Sequence, residues 1–377
     1  MSIPAGLASA GIARSATQPI ALRIAVLEPR TGDFSKQTQA MANGLEVGVA
    51  AVNRTAGKTG VRLQLDRTRF VPGSKPATLV AAAARRGATV IVLPCHPDLQ
   101  TSIAGAAARQ KLLILAPCDS DPRAAQRVAR YWTVGMTGNA EAAQLVNFAA
   151  LQNGTSGLIV SSPGSRYSMT FAKYVRVAAK RRTVSIVGQK SMRLNSSDIA
   201  GVVAEINRTK PRVLFAGLYS PYSEQFVAKL RAAGVRIPVY LPSGADTRLD
   251  ISRFGDVMKD VTFGSFGFPR PSAESLFLDP FRKRFKRPVY GSYPGIGFET
   301  ARVAATAARG ARATTGDALD RAFRKGLRTV GVAAGDLAYT AANGRHPSAE
   351  VGLARIIRGE YVAVTASIPL PEFVPPA

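Results

Sequence analysis

Covalent or metal chemistry in this chain would have to be built from few groups. Its histidines are His96 and His346 and its cysteines Cys95 and Cys118, too few for a multi-histidine metal centre or a disulfide scaffold. A Ser-His-acid triad would have to use His96, yet no Gly-x-Ser-x-Gly elbow and no His-Glu-x-x-His helix occurs. Gly57-Lys58-Thr59 has Val52 where a phosphate loop needs its first glycine, and Gly295-Ile296-Gly297 runs on to Thr300 with no strand before it. What remains is equipment for holding a molecule rather than changing it. His96 can donate to an anionic or carbonyl group or cap its own loop. Tyr167 and Tyr219 offer a ring face and a hydroxyl, for a solute or for packing. Asp119 and Ser120 can receive polar groups or cap the segment that begins at Pro122. The expectation is a binding protein, not an enzyme, with no cofactor and no metal.

Such residues need a frame, and the hydrophobic pattern supplies one. With 377 residues, 46% of them hydrophobic and 20% charged, the chain is long enough for two lobes with their own cores. No apolar run is long enough to span a membrane. Leu22 to Glu28 reads as a strand, and Gln37 to Asn53 repeats its apolar residues at helical spacing. The alternation continues with strands at Val61 to Leu65, Thr89 to Leu93 and Leu112 to Leu115, and helices at Pro76 to Arg86 and Leu99 to Gln110. After Tyr131 to Val134 a second series begins. Its helices are Asn139 to Gln152, Ser168 to Lys180, Ser197 to Arg208 and Tyr222 to Ala233; its strands are Leu158 to Ser161, Val184 to Val187, Val213 to Ala216, Val239 to Leu241 and Val261 to Phe263.

Short strands alternating with helices of about a dozen residues make parallel βαβ units. The fold class expected is α/β, with two doubly wound parallel-sheet, Rossmann-like lobes joined by a multi-strand hinge. Gly264 to Pro271 reads as a return crossover, followed by helices around Ser275 to Phe285, Gly297 to Ala308 and Asp317 to Lys325. Asp336 to Thr340, Asn343-Gly344 and Val351 to Val362 have hairpin character. The domains expected are residues 1–20 as a tail or signal remnant, 21–136 with 268–329 as the first lobe, 137–267 with 330–365 as the second, and 366–377 as a C-terminal tail.

Open parallel sheets bind ligands beyond the carboxyl ends of their strands, where strand order reverses. That nominates Arg30 to Gln37, Pro94 to Gln100 and Pro117 to Pro122 in one lobe, and Pro163 to Tyr167, Gly217 to Tyr222 and Pro242 to Asp246 in the other. The net charge of +26 attracts anions in general. Its densest groups, Lys180 to Arg182 and Arg282 to Arg287, fall at the ends or solvated faces of amphipathic helices, so no nucleic-acid partner is expected. A repressor would also need a helix-turn-helix before Leu22, where Ile3 to Ala16 is Ala- and Gly-rich. That stretch reads either as a weak or truncated export signal, with Ala8-Ser9-Ala10 as a cleavage pattern, or as a disordered tail.

The same segments resemble the leucine/isoleucine/valine-binding branch of type I periplasmic binding proteins. Ile24 to Gly32 is similar to that family's opening strand and Pro-x-Thr-Gly loop, and Val90 to Pro94 and Ile114 to Pro117 to its next strand ends. Arg166-Tyr167-Ser168, Pro211 to Gly217 and Phe298-Glu299-Thr300-Ala301 match its second-lobe and returning motifs. The resemblance implies a periplasmic, monomeric receptor that closes by hinge motion over a small amino-acid-like, carboxylate or aromatic-acid solute and serves an inner-membrane ABC permease. The alternative is a sensing or scaffold lobe that regulates a membrane or periplasmic partner. Carried over by position, ligand contacts fall on Phe34, Gln37, His96, Pro97, Cys118, Asp119, Ser120, Tyr167, Tyr219, Ser243 and Gly244.

Two departures from the family matter. Its Ser-rich carboxylate loop reads His96-Pro97 here, and the acid that takes an ammonium is replaced by Ser243 unless Asp119 or Asp246 substitutes. The family's backward disulfide would need a cysteine where Pro72-Gly73 stands, which leaves a bridge between Cys95 and Cys118, at two neighbouring strand ends, as the expectation for an exported protein.

Overall fold

The computed structural model describes residues 19–71, 73–118, 121–196, 198–247, 255–358 and 360–377. Asp119, Ser120, Ser197 and the stretch Ile3 to Ala16, to which the sequence attaches expectations, lie outside the described residues.

Two sheets wound in the same order organise the chain. β1 (Ile20–Pro29), β2 (Val61–Phe70), β3 (Val90–Val92), β4 (Leu113–Ala116) and β5 (Tyr131–Thr133) lie parallel in the order β2-β1-β3-β4-β5. β6 (Ser156–Ser161), β7 (Ser185–Ser191), β8 (Val213–Ala216), β9 (Val239–Leu241) and β10 (Val261–Ser265) repeat it as β7-β6-β8-β9-β10. Every side chain of β3, β4, β8 and β9 is buried. That is the mark of strands covered by helices on both faces, and it explains why these runs are uniformly apolar instead of alternating. In each lobe the strand order reverses beside the first strand, between β1 and β3 and between β6 and β8. The loops after these four strands therefore diverge and leave a crevice.

Local sequence fixes where the helices that follow these loops begin. Pro97 opens helix Pro97–Arg109 at a position where a missing N–H costs nothing. Ser165 caps helix Arg166–Arg181 by accepting from the Ser168 N–H. Asp121 does the same for helix Pro122–Arg127 through Arg123. The basic cluster at Lys180 to Arg182 stands at a helix C-terminus, where cations complement the dipole. Arg181 donates to the Val374 carbonyl at 2.6 Å and Arg182 lies over the Phe373 ring, so the segment expected as a C-terminal tail is docked on the second lobe.

The return segment departs from the expected elements in three places. The helix expected over Ser275 to Phe285 is a π-helical turn, Glu274–Leu278, leading into helix Asp279–Phe285, because Pro280 has no N–H with which to continue regular winding. β11 (Leu327–Thr329), β12 (Leu337–Tyr339) and β13 (Ser348–Ala349) form a separate antiparallel sheet. Its Tyr339 packs on Trp132 and Phe323 and donates to the Thr133 carbonyl, so β12 and β13, expected in the second lobe, lie against the first. The Asn343-Gly344 turn joins β12 to β13. The run Val351 to Val362, read as part of a hairpin, holds β14 (Val351–Ile357) and the start of β15 (Glu360–Ser367), paired antiparallel at the β10 edge of the second sheet.

A candidate ligand site between the lobes

The four loops at the two reversal points meet. Phe34, in the loop after β1, has φ of 58° and sits at the start of helix Ser35–Arg54. This left-handed turn aims its ring across the crevice. It lies 4.3 Å from the Tyr219 ring and 5.7 Å from Tyr167, both from the opposite lobe, and 5.9 Å from His96. Phe34, Tyr167 and Tyr219 form a small buried cluster of their own, with Leu194 and Tyr222 packed against it. Asp33 accepts hydrogen bonds from the hydroxyls of Tyr219 at 2.8 Å and Tyr222 at 3.1 Å. At the rim, Arg166 of the second lobe reaches Asp121 and Thr101 of the first.

The loop after β3 is held from two sides. Thr38 accepts the Cys95 N–H, and Cys95 is disulfide-bonded to Cys118 with Cα atoms 5.0 Å apart. The bridge ties together the loops that follow β3 and β4. Titration with a thiol reagent is expected to find no reactive thiol in the oxidised, denatured chain and two after reduction; two before reduction would contradict the bridge. His96 precedes helix Pro97–Arg109, and its buried Nδ1 has no hydrogen-bond partner among the described residues. Burial lowers its pKa, against the opposing fields of Asp98 and Asp33, which favours neutral imidazole. Gln37 is buried and lines a recess of about 120 Å³ with Asp33, Lys36, Ser220 and Thr247.

The loop after β9 lies deeper. The Ser243 N–H donates to Glu141 Oε1 at 2.5 Å and the Gly244 N–H to the Tyr167 hydroxyl at 2.8 Å. A Cβ on Gly244 would stand 2.7 Å from that of Tyr219, so only glycine lets the loop approach. Tyr293, from the returning helix Tyr293–Ala311, donates to the Ser243 carbonyl. Glu141 is fully buried, and desolvation pushes its pKa up to about 7 despite the Ser243 hydrogen bonds. Asp246 is also buried, with its pKa pushed up to about 6 by the same cause, and it accepts from the Ser292 N–H and hydroxyl. Through its Oδ2 it grips the crossover at Ser292.

Of the positions nominated from sequence, Phe34, Gln37, His96, Tyr167, Tyr219, Ser243 and Gly244 line or support this crevice. Pro97 starts a helix, and Cys118 is committed to its disulfide. Asp33, Tyr222 and Glu141 were not nominated. The first two stand in nominated loops, Tyr222 being the first residue of the helix that follows the Tyr219 loop.

The sequence pattern of the family described as a periplasmic binding protein matches residues 21–360. No curated protein sequence matches the chain. Among solved structures, the branched-chain amino acid transporter substrate-binding protein LivJ from Streptococcus pneumoniae, in complex with isoleucine, superposes with a TM-score of 0.79 at 14% identity, over 92% of this chain and 99% of its own. The leucine-binding protein LivK from Thermotoga maritima gives 0.79 at 17% identity, over 92% and 99%. A solute-binding protein of an ABC transporter from Rhodopseudomonas palustris, in complex with 4-hydroxybenzoate, gives 0.77 at 14% identity, over 93% and 98%. At such identities the structural likeness speaks for the fold.

Proposed function

This chain belongs to the periplasmic binding protein family, and from that premise we propose that it captures one small amphipathic solute between its lobes, outside the cytoplasm, for delivery to an ABC permease. The observation that carries the reading is the contact across the crevice: Phe34 and Asp33 of one lobe against Tyr167, Tyr219 and Tyr222 of the other. A receptor that works by closure needs groups from both lobes on the same ligand, since only differential affinity for the closed form shifts the population. The chain acts as a monomer, makes no covalent change in its solute, and has no nucleic-acid partner in this reading. Among the described residues no helix is long and apolar enough to cross a membrane.

The ligands of the structural relatives, isoleucine, leucine and 4-hydroxybenzoate, bracket the chemistry to screen. A solute at 100 times its dissociation constant is expected to add about 2.7 kcal/mol to stability, which a thermal-shift series over amino acids, aromatic acids, amides and amines would read. Tyr219→Ala removes a ring packed on Phe34 and a hydroxyl bonded to Asp33. It is expected to weaken the best solute about tenfold or more, a loss of at least 1.4 kcal/mol, and to enlarge the radius of gyration in solution scattering. Unchanged affinity together with unchanged compactness would refute the assignment of the crevice.

A further inference from the structure

The crevice carries a charge pattern unlike that of the chain as a whole. Asp33 stands at the centre of the interlobe contact, and its two oxygens accept from two tyrosines of the opposite lobe. A carboxylate offers about four acceptor sites, so two phenols do not exhaust it. Around it stand the rings of Phe34, Tyr219 and Tyr222, with Tyr219 and Tyr222 5.4 Å apart and edge to face. Asp98 adds a second negative field at the Tyr219 hydroxyl.

Among the described residues, several donors that could hold a carboxylate are already engaged. The Ser243 N–H goes to Glu141, the Gly244 N–H to Tyr167, and the Leu99 and Gln100 N–H groups turn back to the His96 carbonyl. Pro97 has no N–H to offer. His96 is held toward its neutral form. Arg123 and Arg166 both engage Asp121; Lys36 lines the recess beside Asp33 but is largely exposed to solvent, where its charge is screened. The surplus positive charge of the chain acts at a distance and is screened over about 8 Å at physiological salt, so the groups in contact decide the sign of the ligand.

We propose that the solute meets Asp33 with a cationic head, a primary amine or a quaternary ammonium, and packs its apolar part among Phe34, Tyr219 and Tyr222; this rests on the capture reading above. Ring faces attract cations through their quadrupole, and an adjacent carboxylate adds direct Coulomb attraction. The acid that the second lobe lacks at Ser243 is thus supplied from the first lobe. The class of solute is an amine or ammonium compound rather than a free amino acid or an aromatic acid.

Four probes that share one ring and differ in head group test this: benzylammonium, benzyltrimethylammonium, benzamide and benzoate, titrated calorimetrically into the full chain at fixed salt. At least one cation is expected to bind about tenfold tighter than benzamide or benzoate, and the better of the two cations identifies the head group. Asp33→Asn is expected to abolish that preference, lowering the ratio of cation to benzamide affinity about tenfold, and Asp33→Glu to restore it. Benzoate binding as tightly as the cations, or a cation preference that survives Asp33→Asn, would overturn the proposal. Scattering in the same samples separates the two readings. Compaction over benzoate would refute the cationic assignment and leave capture standing, whereas no binding and no compaction with any probe would count against both.

Discussion

Between about pH 5 and about pH 8 the wild-type chain is expected to lose about 3 kcal/mol of stability, and Glu141→Gln to remove most of that loss. Glu141 lies in the first turn of helix Gly138–Leu151, fully buried, with its carboxylate against the Cα of Gly264. Desolvation raises its pKa to about 7, outweighing the Ser243 hydrogen bonds, and the nearby Asp246 adds to the rise. In the unfolded chain a glutamate titrates near 4.3. Over the interval between these values the folded state keeps a proton that the unfolded state has released, so stability falls as pH rises and levels off above about 7. Asp246, raised to about 6, acts in the same direction over a narrower interval.

Groups with lowered pKa act at the acid end. Burial alone would raise Glu46 and Asp121, but hydrogen bonds from Arg67 and Arg284 hold the first low and those from Arg123 the second. Their contribution is present above the ordinary carboxylate range and disappears as pH falls through their lowered values. His96 and His346, whose pKa burial lowers, also cost stability as pH falls below the ordinary histidine range, so maximum stability is expected between about pH 5 and about pH 6.5. Urea unfolding of wild type and Glu141→Gln at both ends of the interval checks it. Glutamine keeps the acceptor for the Ser243 N–H and cannot ionise, so the variant is expected to have a much shallower pH dependence, with Asp246 still contributing, and to be the more stable of the two at pH 8. Parallel pH slopes would show that Glu141 does not carry the linkage.

The winding of both lobes was legible because strands and helices differ in hydrophobic period and because buried parallel strands are uniformly apolar. The reversal points followed from that order, and with them the loops carrying Phe34, His96, Tyr167 and Tyr219. What periodicity could not decide is which member of a loop turns inward. Asp33 and Phe34 are neighbours, and the left-handed φ of Phe34 sets where both side chains point. Glu141 reads in sequence as a first-turn acid complementing a helix dipole. Its burial depends on Gly264 in a strand distant in sequence, where a Cβ would lie 2.1 Å from the Glu141 oxygen. A glycine inside a strand is a signal of close approach, but it does not say what approaches. β11 and β13 were missed because they are only three and two residues long, too short for alternation to show.

Gly44→Ala is expected to cost at least about 3 kcal/mol, although alanine is the better helix former by nearly 1 kcal/mol. Helix Ser35–Arg54 crosses helix Tyr293–Ala311 almost backbone to backbone. A Cβ on Gly44 would stand 1.8 Å from the Pro294 carbonyl oxygen, one on Gly297 1.9 Å from that of Met41, and one on Gly48 2.6 Å from that of Phe298. These obstacles are main chain and cannot rotate aside, so the helices must separate and lose packing along the whole crossing. Gly201, in helix Ala200–Thr209, has nothing within 4 Å of its Cβ position. There the same substitution is expected to stabilise by about 0.5–1 kcal/mol. Opposite shifts in the urea midpoint test the contrast, and equal shifts would refute it. The crossing also bears on binding. One helix begins directly after Asp33 and Phe34, and the other begins at Tyr293, whose hydroxyl supports Ser243 beneath the crevice. Forcing them apart moves both walls of the site, so solute affinity is expected to fall in Gly44→Ala and to be unaffected in Gly201→Ala.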